Sequence, residues 1–356
     1  MKNLLLLSLL FLISCSQPTF EETGGVRLVL EARNAAKTDL DRIMLILTQR
    51  LKSFGIDNPT VRAGEKPEQL IVEIPGKVQD IQRIRKLLQS TAKLEFWETH
   101  ENKELYEKIA KLNTVLSEEL FPELKDTVVE EVKANLEGAS LNEQFAAQKS
   151  EKELEEERMK NAQKQNPLLA LLNPAVRYDG RNYELMDGPV VGMALLKDTS
   201  KINSYLNSPT AKKIFGSGVK FLWTLEPMKE TKDIIHQLVA IRITRTGKAA
   251  LYDNIIEEAK VSDSDWGPQI SMTMQKVAAM DWHKLTRDNI GRSIAIVVDD
   301  QVYSYPFVNS EIPGGVAVIS GNFTQQQAQD FASILKAGYL PVPVKIVSEE
   351  VVTGKK

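Results

Sequence analysis

The chain has 356 residues, 42% hydrophobic and 26% charged, with a formal net charge of -3. That length admits two or three packed units, each with its own core, and the near-balanced charge, with no Lys/Arg cluster on one element, argues against a nucleic-acid partner. His100, His236 and His283 stand far apart without ligand spacing, and the single cysteine, Cys15, rules out an internal disulfide, so no metal site and no cofactor is expected.

The first residues read as a targeting segment. Lys2 supplies its positive start, and Leu4 to Ile13 form an apolar run about half of the roughly 20 residues that span a bilayer. Leu12-Ile13-Ser14-Cys15 has the form of a bacterial lipoprotein processing box, which makes residues 1–14 a signal peptide, Cys15 the lipid-attachment residue and residues 15–24 a tether. One acyl chain holds a membrane only marginally, so stable anchoring takes two or more. The expected location is a membrane-anchored lipoprotein facing the bacterial periplasm.

Residues 26–98 alternate between strand and helix patterns. Val26–Glu31 is strand-like; Asp39–Phe54 places Leu40, Ile43, Met44, Leu47, Leu51 and Phe54 on one helical face, with Thr38 as its cap and Gly55 as its stop. Short strands near Thr60–Arg62 and over Leu70–Ile74 follow, then a helix marked by Ile81, Ile84, Leu87 and Leu88, and a fourth strand over Ala92–Trp97. The order βαββαβ is a split-βαβ, ferredoxin-like base over residues 25–99. Many functions use that scaffold, so it names none.

Residues 100–187 read as a charged helical insertion, most strongly in Ser150–Lys164, with the apolar run Pro167–Leu172 able to dock it back on the body. An α+β head follows over residues 188–336. Ser208-Pro209 starts a helix; Val219–Leu225, Leu238–Thr244 and Gln269–Met274 read as strands; Val277–Arg287 reads as a helix with Val277, Met280 and Leu285 inward. Ile294–Val298 and Val302–Val308 form a hairpin about Asp299-Asp300-Gln301, and Val316–Ser320 is a further strand. Thr324 and Gln327 have capping-box spacing ahead of a helix buried through Ala328, Phe331, Ile334 and Leu335. Residues 337–356 give an extended Pro341-Val342-Pro343 connector and a last strand, Val344–Val347, that returns to the base.

Several of these pieces resemble the first periplasmic domain of SecD, or of the fused SecDF. They are Gly24–Leu30, Arg50 with Gly55-Ile56, Ile74-Pro75-Gly76 and Thr91–Phe96, then Leu285-Thr286, Asn289–Arg292, Ala295–Asp299, Tyr305-Pro306, Ile319–Gly321 and Leu335–Pro343. The resemblance implies a base, an inserted head that moves against it, and contact with exported polypeptides emerging from SecYEG. It also implies candidate hinge residues Ala337, Gly338, Pro341 and Pro343. The family's proton-carrying residues lie in membrane helices, so none transfers to this sequence and proton-driven pulling by this chain alone is not expected.

Two functional readings follow. In the first, the chain is a lipid-anchored accessory of Sec-dependent export that binds translocating or unfolded polypeptides. Tyr303, Tyr305 and Phe307 are then the candidate contact, since their alternation puts them on one strand face. In the second, it carries no client and docks on a membrane complex such as a complete SecD/SecF. An enzyme is not expected: no Gly-x-Ser-x-Gly, phosphate-binding glycine loop or His-Glu metal motif occurs. Asp299-Asp300 reads as turn chemistry rather than an acid–base pair, and Gly291-Arg292 and Gly314-Gly315 as turns rather than anion sites.

Overall fold

The computed structural model describes residues 20–78, 80–123, 160–225, 227–228, 233–265 and 267–355. Cys15, the signal segment and Ser150–Met159 of the charged stretch lie outside the described residues. In chain order the strands are β1 (Gly24–Glu31), β2 (Thr60–Ala63), β3 (Gln69–Pro75), β4 (Leu94–Glu98), β5 (Asn173–Pro174), β6 (Val176–Tyr178), β7 (Tyr183–Leu185) and β8 (Val190–Leu195). They continue with β9 (Val219–Trp223), β10 (Ile235–Arg242), β11 (Ile256–Ser264), β12 (Gly267–Met274), β13 (Ile294–Val298), β14 (Gln301–Ser304), β15 (Val316–Ile319) and β16 (Lys345–Thr353). The chain divides into two units: unit 1 is Met1–Thr91 with Leu340–Lys356, and unit 2 is Ala92–Tyr339.

Unit 1 is an antiparallel sheet ordered β16-β1-β3-β2. Val26, Leu28 and Leu30 of β1 stand opposite Ile74, Val72 and Leu70 of β3, and all six are buried. The helices Lys37–Ser53 and Ile81–Gln89 supply Ile43, Leu47, Leu51, Ile84, Leu87 and Leu88 to the same core. Fully burying each such side chain contributes about 1.5–3 kcal/mol. Thr38 is not the first helix's cap; Ala36 is, and its amide N–H donates to Asp39 Oδ2 at 3.1 Å. Gly55 does follow the helix end, at φ 90, where a side chain is disfavoured. Part of the expected tether is structured: Phe20–Thr23 makes one helical turn, and the Glu21 carbonyl accepts the Lys355 N–H at 2.9 Å.

The fourth strand of this sheet corrects the sequence reading. β4 does not pair with β1; it pairs antiparallel with β13 in unit 2, Phe96 opposite Ile296. The place beside β1 is taken by β16, with Gly24 opposite Thr353 and Glu31 opposite Lys345. The cause lies in β4's side chains. Leu94, Glu95, Phe96 and Trp97 are all buried, so the strand needs cover on both faces, which an open two-layer base does not give.

Unit 2 supplies that cover. The sheet β14-β13-β4 has one core on each side. Leu94, Phe96, Ile294, Ile296 and Val298 face a cluster with Trp282, Phe331 and Leu335, while Trp97, Ala295, Val297 and Val302 face a second with Leu222, Val239 and Ile241. The three-stranded sheet β11-β12-β15 closes the first cluster. β11, with its charged outer positions, carries no clear apolar run and is not legible as a strand from sequence. The helix Lys276–Asp288 buries Ala278, Trp282, Leu285 and Thr286, whereas Val277 and Met280 are 74% and 69% exposed, so its inward face is rotated from the expected one.

A third cluster in unit 2 joins the four-stranded sheet β5-β8-β10-β9 to helices Asn102–Leu120, Thr199–Leu206 and Pro209–Phe215. The first of these helices falls in the expected charged insertion, yet it buries Leu105, Ile109, Leu112 and Leu116. Leu168 and Leu172 of the Pro167–Leu172 run are fully buried against it, and Asn113 Oδ1 accepts the N–H groups of Leu168 and Leu169 at 3.1 Å each.

Candidate functional site

The three aromatic residues picked from sequence do not share a face. Tyr303 stacks on Phe331 with centroids 4.6 Å apart and packs against the first core of unit 2. Tyr305 packs against the second core, and its hydroxyl donates to Gln237 Oε1 at 2.6 Å. Burial raises the Tyr305 phenol above its ordinary range despite that bond. Phe307 is 58% exposed. The alternation fails because a register shift sets Ile296 opposite Ser304 but Val297 opposite Val302, leaving Tyr303 as an extra residue, and because β14 ends at Ser304.

The Asp299-Asp300 pair is a turn, as its residue types imply. Both residues are left-handed, at φ 51 and 62, the pattern of a two-residue type I′ hairpin. Asp299 accepts the N–H groups of Ala92 at 3.1 Å and Lys93 at 2.9 Å, which pins the start of β4. Gly291 and Gly315 also sit in left-handed turns, at φ 83 and 62. Of the expected hinge residues, Ala337 and Gly338 end the Gln325–Ala337 helix in unit 2, while Pro341 and Pro343 lie in unit 1. Among the described residues no cluster of three or more His, Cys, Asp or Glu is arranged to hold a metal ion, and no helix is long and apolar enough to cross a membrane.

One concave surface of unit 2 lies away from the aromatic trio. A cavity of ≈ 820 Å³ opens between β9 and the Thr199–Phe215 helical pair, walled by Asn203, Leu206, Phe215, Phe221 and Trp223. Phe215 and Phe221 meet edge-on at 5.0 Å, and Trp223 Nε1 donates to Asn203 Oδ1 at 2.9 Å, which fixes the indole. At the mouth, Lys220 Nζ pairs with Asp300 of the hairpin at 2.6 Å. The sequence signal is Val219-Lys220-Phe221-Leu222-Trp223, which puts Val219, Phe221 and Trp223 at alternate positions, the same pattern as in residues 303–307.

Near the start of β9 lies a charged cluster. His100 Nδ1 is 3.1 Å from Glu104 Oε2, and His100 Nε2 is 3.1 Å from the Gly218 carbonyl. Arg242 and Arg292 approach Glu104 at 3.6 and 3.9 Å. Burial raises the Glu104 carboxyl, but the His100 bond and the two guanidinium charges outweigh it and hold the group below its ordinary range. The ensemble offers apolar and hydrogen-bonding surface rather than a nucleophile with a base.

Residues 40–101 match the N-terminal part of the P1 domain of protein translocase subunit SecDF, and residues 233–342 match the SecDF P1 head subdomain. Protein translocase subunit SecD of Rhodothermus marinus is 32% identical over 323 residues, covering 90% of this chain and 47% of that protein. SecDF of Thermus thermophilus is 38% identical over 93 residues, 26% of this chain and 13% of that protein. A crystal structure of SecDF in its super-membrane-facing form superposes with a TM-score of 0.50 at 22% identity, over 93% of this chain and 30% of the other, a likeness of fold. The chain spans about half the length of the Rhodothermus relative.

Proposed function

Because the chain belongs to the SecD/SecDF family of protein-translocase subunits through its P1 domain, we propose that it serves Sec-dependent export as a lipid-anchored accessory that holds exported polypeptides on the outer side of the membrane. The observation that carries this reading is the open cavity beside β9, whose aromatic wall and polar mouth suit an unfolded chain. Cys15 is the attachment residue in this proposal, and SecYEG or a full-length SecD/SecF is the assembly it works beside.

Unit 1 is read as a ferredoxin-like base completed by β16. Its antiparallel order β16-β1-β3-β2 supports that reading. The chain passes between the units at Thr91–Ala92 and Tyr339–Leu340, so Ala337, Gly338, Pro341 and Pro343 flank one of two crossings and are proposed as a hinge. Phe307 is the member of the aromatic trio whose exposure suits client contact.

The test is site-specific photo-crosslinking in cells, with the photoreactive residue at Lys212 or Phe307 of the full chain. Capture of exported precursors is expected, most strongly at Lys212. If neither position nor others spread over unit 2 captures a precursor, client binding is wrong. Cys15→Ala separately tests the anchor, since it must move the protein out of the membrane fraction and abolish lipid labelling.

A further inference from the structure

We propose that the free edge of β9 is a strand-addition site, where an extended peptide pairs with the backbone of Val219, Phe221 and Trp223. This rests on the polypeptide-binding reading above and specifies how binding occurs.

The register decides which backbone groups are free. β9 ends its four-stranded sheet, with β10 paired to it over Val219–Trp223. Arg242 stands opposite Val219 and Leu238 opposite Trp223. Just outside these pairs, the Ile243 N–H donates to the Gly218 carbonyl and the Thr224 N–H to the Gln237 carbonyl, each at 2.9 Å. In an antiparallel ladder bonded and non-bonded pairs alternate, so Lys220 and Leu222 bond to β10. Val219, Phe221 and Trp223 then turn their N–H and C=O groups away from the sheet.

The next outward position shows the same edge already in use. The Leu225 N–H donates to the Val302 carbonyl at 2.8 Å, and Thr224 and Val302 form a parallel bridge. β14 therefore takes up the edge where β9 ends, and its Asp299-Asp300 turn reaches back to Lys220 through the Asp300 carboxylate. Five consecutive residues, Val219 to Trp223, border the cavity. Their side chains alternate between the two faces, so what they have in common is the edge itself.

An unpaired edge is a template for another strand unless it is blocked. Here the block is the Lys220–Asp300 pair, whose side chains are 40% and 71% exposed. Such a pair is weak and opens readily. The occupant that matches three outward donors and the two carbonyls of Val219 and Phe221 is peptide backbone, the Trp223 carbonyl being taken up by the bridge to Val302. Recognition through main-chain bonds, with an apolar wall for alternate side chains, tolerates many sequences and disfavours proline.

The test uses the full mature chain and a fluorescein-labelled peptide of about ten residues, alternating Thr and Val between terminal lysines. One version is unmodified; two others carry N-methyl groups on one or the other alternate set of amides. Binding of the unmodified peptide is expected by anisotropy, with one methylated version weakened about tenfold, as for the loss of one or two backbone bonds. Val219→Pro removes an outward N–H and no β10 bond, so it should weaken the peptide comparably at an unchanged melting temperature. Should that variant misfold, the methylated peptides decide alone.

If both methylated peptides bind as well as the parent, strand addition is overturned while polypeptide binding stands. If no peptide binds although unit 2 captures precursors in cells, the edge is again not the site and the functional reading survives. A concentration-dependent dimer that excludes the peptide would assign the edge to a second copy and also overturn the proposal.

Discussion

The carbonyl of Thr91 accepts the Leu340 N–H at 2.8 Å. Thr91 is the last residue of unit 1 before the chain departs, and Leu340 is the first after it returns. Unit 2 is thus an insertion in the sequence of unit 1, and the unit 1 residues on either side of it are joined by a backbone hydrogen bond. Arg50 reinforces the point of departure. Fully buried, it donates to the carbonyls of Leu87 at 3.0 Å and Ser90 at 2.6 Å, and more weakly to Thr91 at 3.4 Å.

Arg50→Met should therefore lower the stability of unit 1 by about 3 kcal/mol or more, because the helix-end carbonyls lose a buried charged donor. The measurement is clean because all four tryptophans and all eight tyrosines fall in residues 92–339. Tryptophan fluorescence follows unit 2 alone, so the variant is expected to shift a urea transition seen by far-UV circular dichroism and leave the fluorescence transition in place. A shift confined to fluorescence would contradict the assignment.

Tyr303 and Phe307 should part company on truncation. Tyr303→Ala removes a ring stacked in the core beside Phe331 and is expected to cost unit 2 about 2–4 kcal/mol. Phe307→Ser, at an exposed position, should stay within about 0.5 kcal/mol. Equal losses in tryptophan-monitored unfolding would show that the two residues share an environment after all.

The hairpin aspartates carry different loads. Asp299→Ala strands the amides of Ala92 and Lys93 and should destabilise unit 2 by about 1–3 kcal/mol. Asp300→Gly relieves a left-handed side chain and gives the favoured Asp-Gly turn, at the cost of an exposed ion pair. Its expected effect is neutral to about 1 kcal/mol stabilising, read from the same transition.

Glu104 supplies a pH dependence whose sign follows from its lowered pKa. A carboxylate depressed on folding stabilises fully above its unfolded pKa, about 4.3, and loses that contribution as pH falls through the folded value. Glu104→Gln should accordingly lower stability at pH 7 and flatten the acid limb below about pH 4.3. The carboxylate is about one-third exposed, so solvent screening limits the effect to roughly 0.5–1 kcal/mol. An unchanged acid limb in a pH series of thermal melts would remove Glu104 from the account.

Local chemistry was the legible part of this fold. The Thr324–Gln327 capping box forms with reciprocal bonds of 2.8 and 3.2 Å, and the Ser208 hydroxyl accepts the Ala211 N–H at 3.1 Å ahead of Pro209. These features involve neighbours in sequence. Apart from the Thr38 cap, which Ala36 replaces, what failed depended on distant partners. β4 has the composition of any buried strand, and nothing within Leu94–Glu98 states that β13 rather than β1 is its mate. The phase of the Lys276–Asp288 helix is masked in sequence because Val277 and Met280 have the character of core residues while Ala278 and Trp282 fill the core. The cavity beside β9 escaped for a related reason: a void is a property of what the surrounding elements leave unfilled.

The pairing of β1 with β16 also sets an order of events. Gly24 is made more than 300 residues before Thr353, so the sheet of unit 1 lacks the strand beside β1 until β16 has been synthesised. Residues 92–339 have their own cores and can mature first, while β1 and β3 wait with one side of β1 open. Contacts so far apart in sequence make folding slow and expose unpaired strands in the meantime. Deleting Lys345–Thr353 is expected to leave the tryptophan signal of unit 2 native and to make unit 1 prone to aggregation through the bared edge of β1.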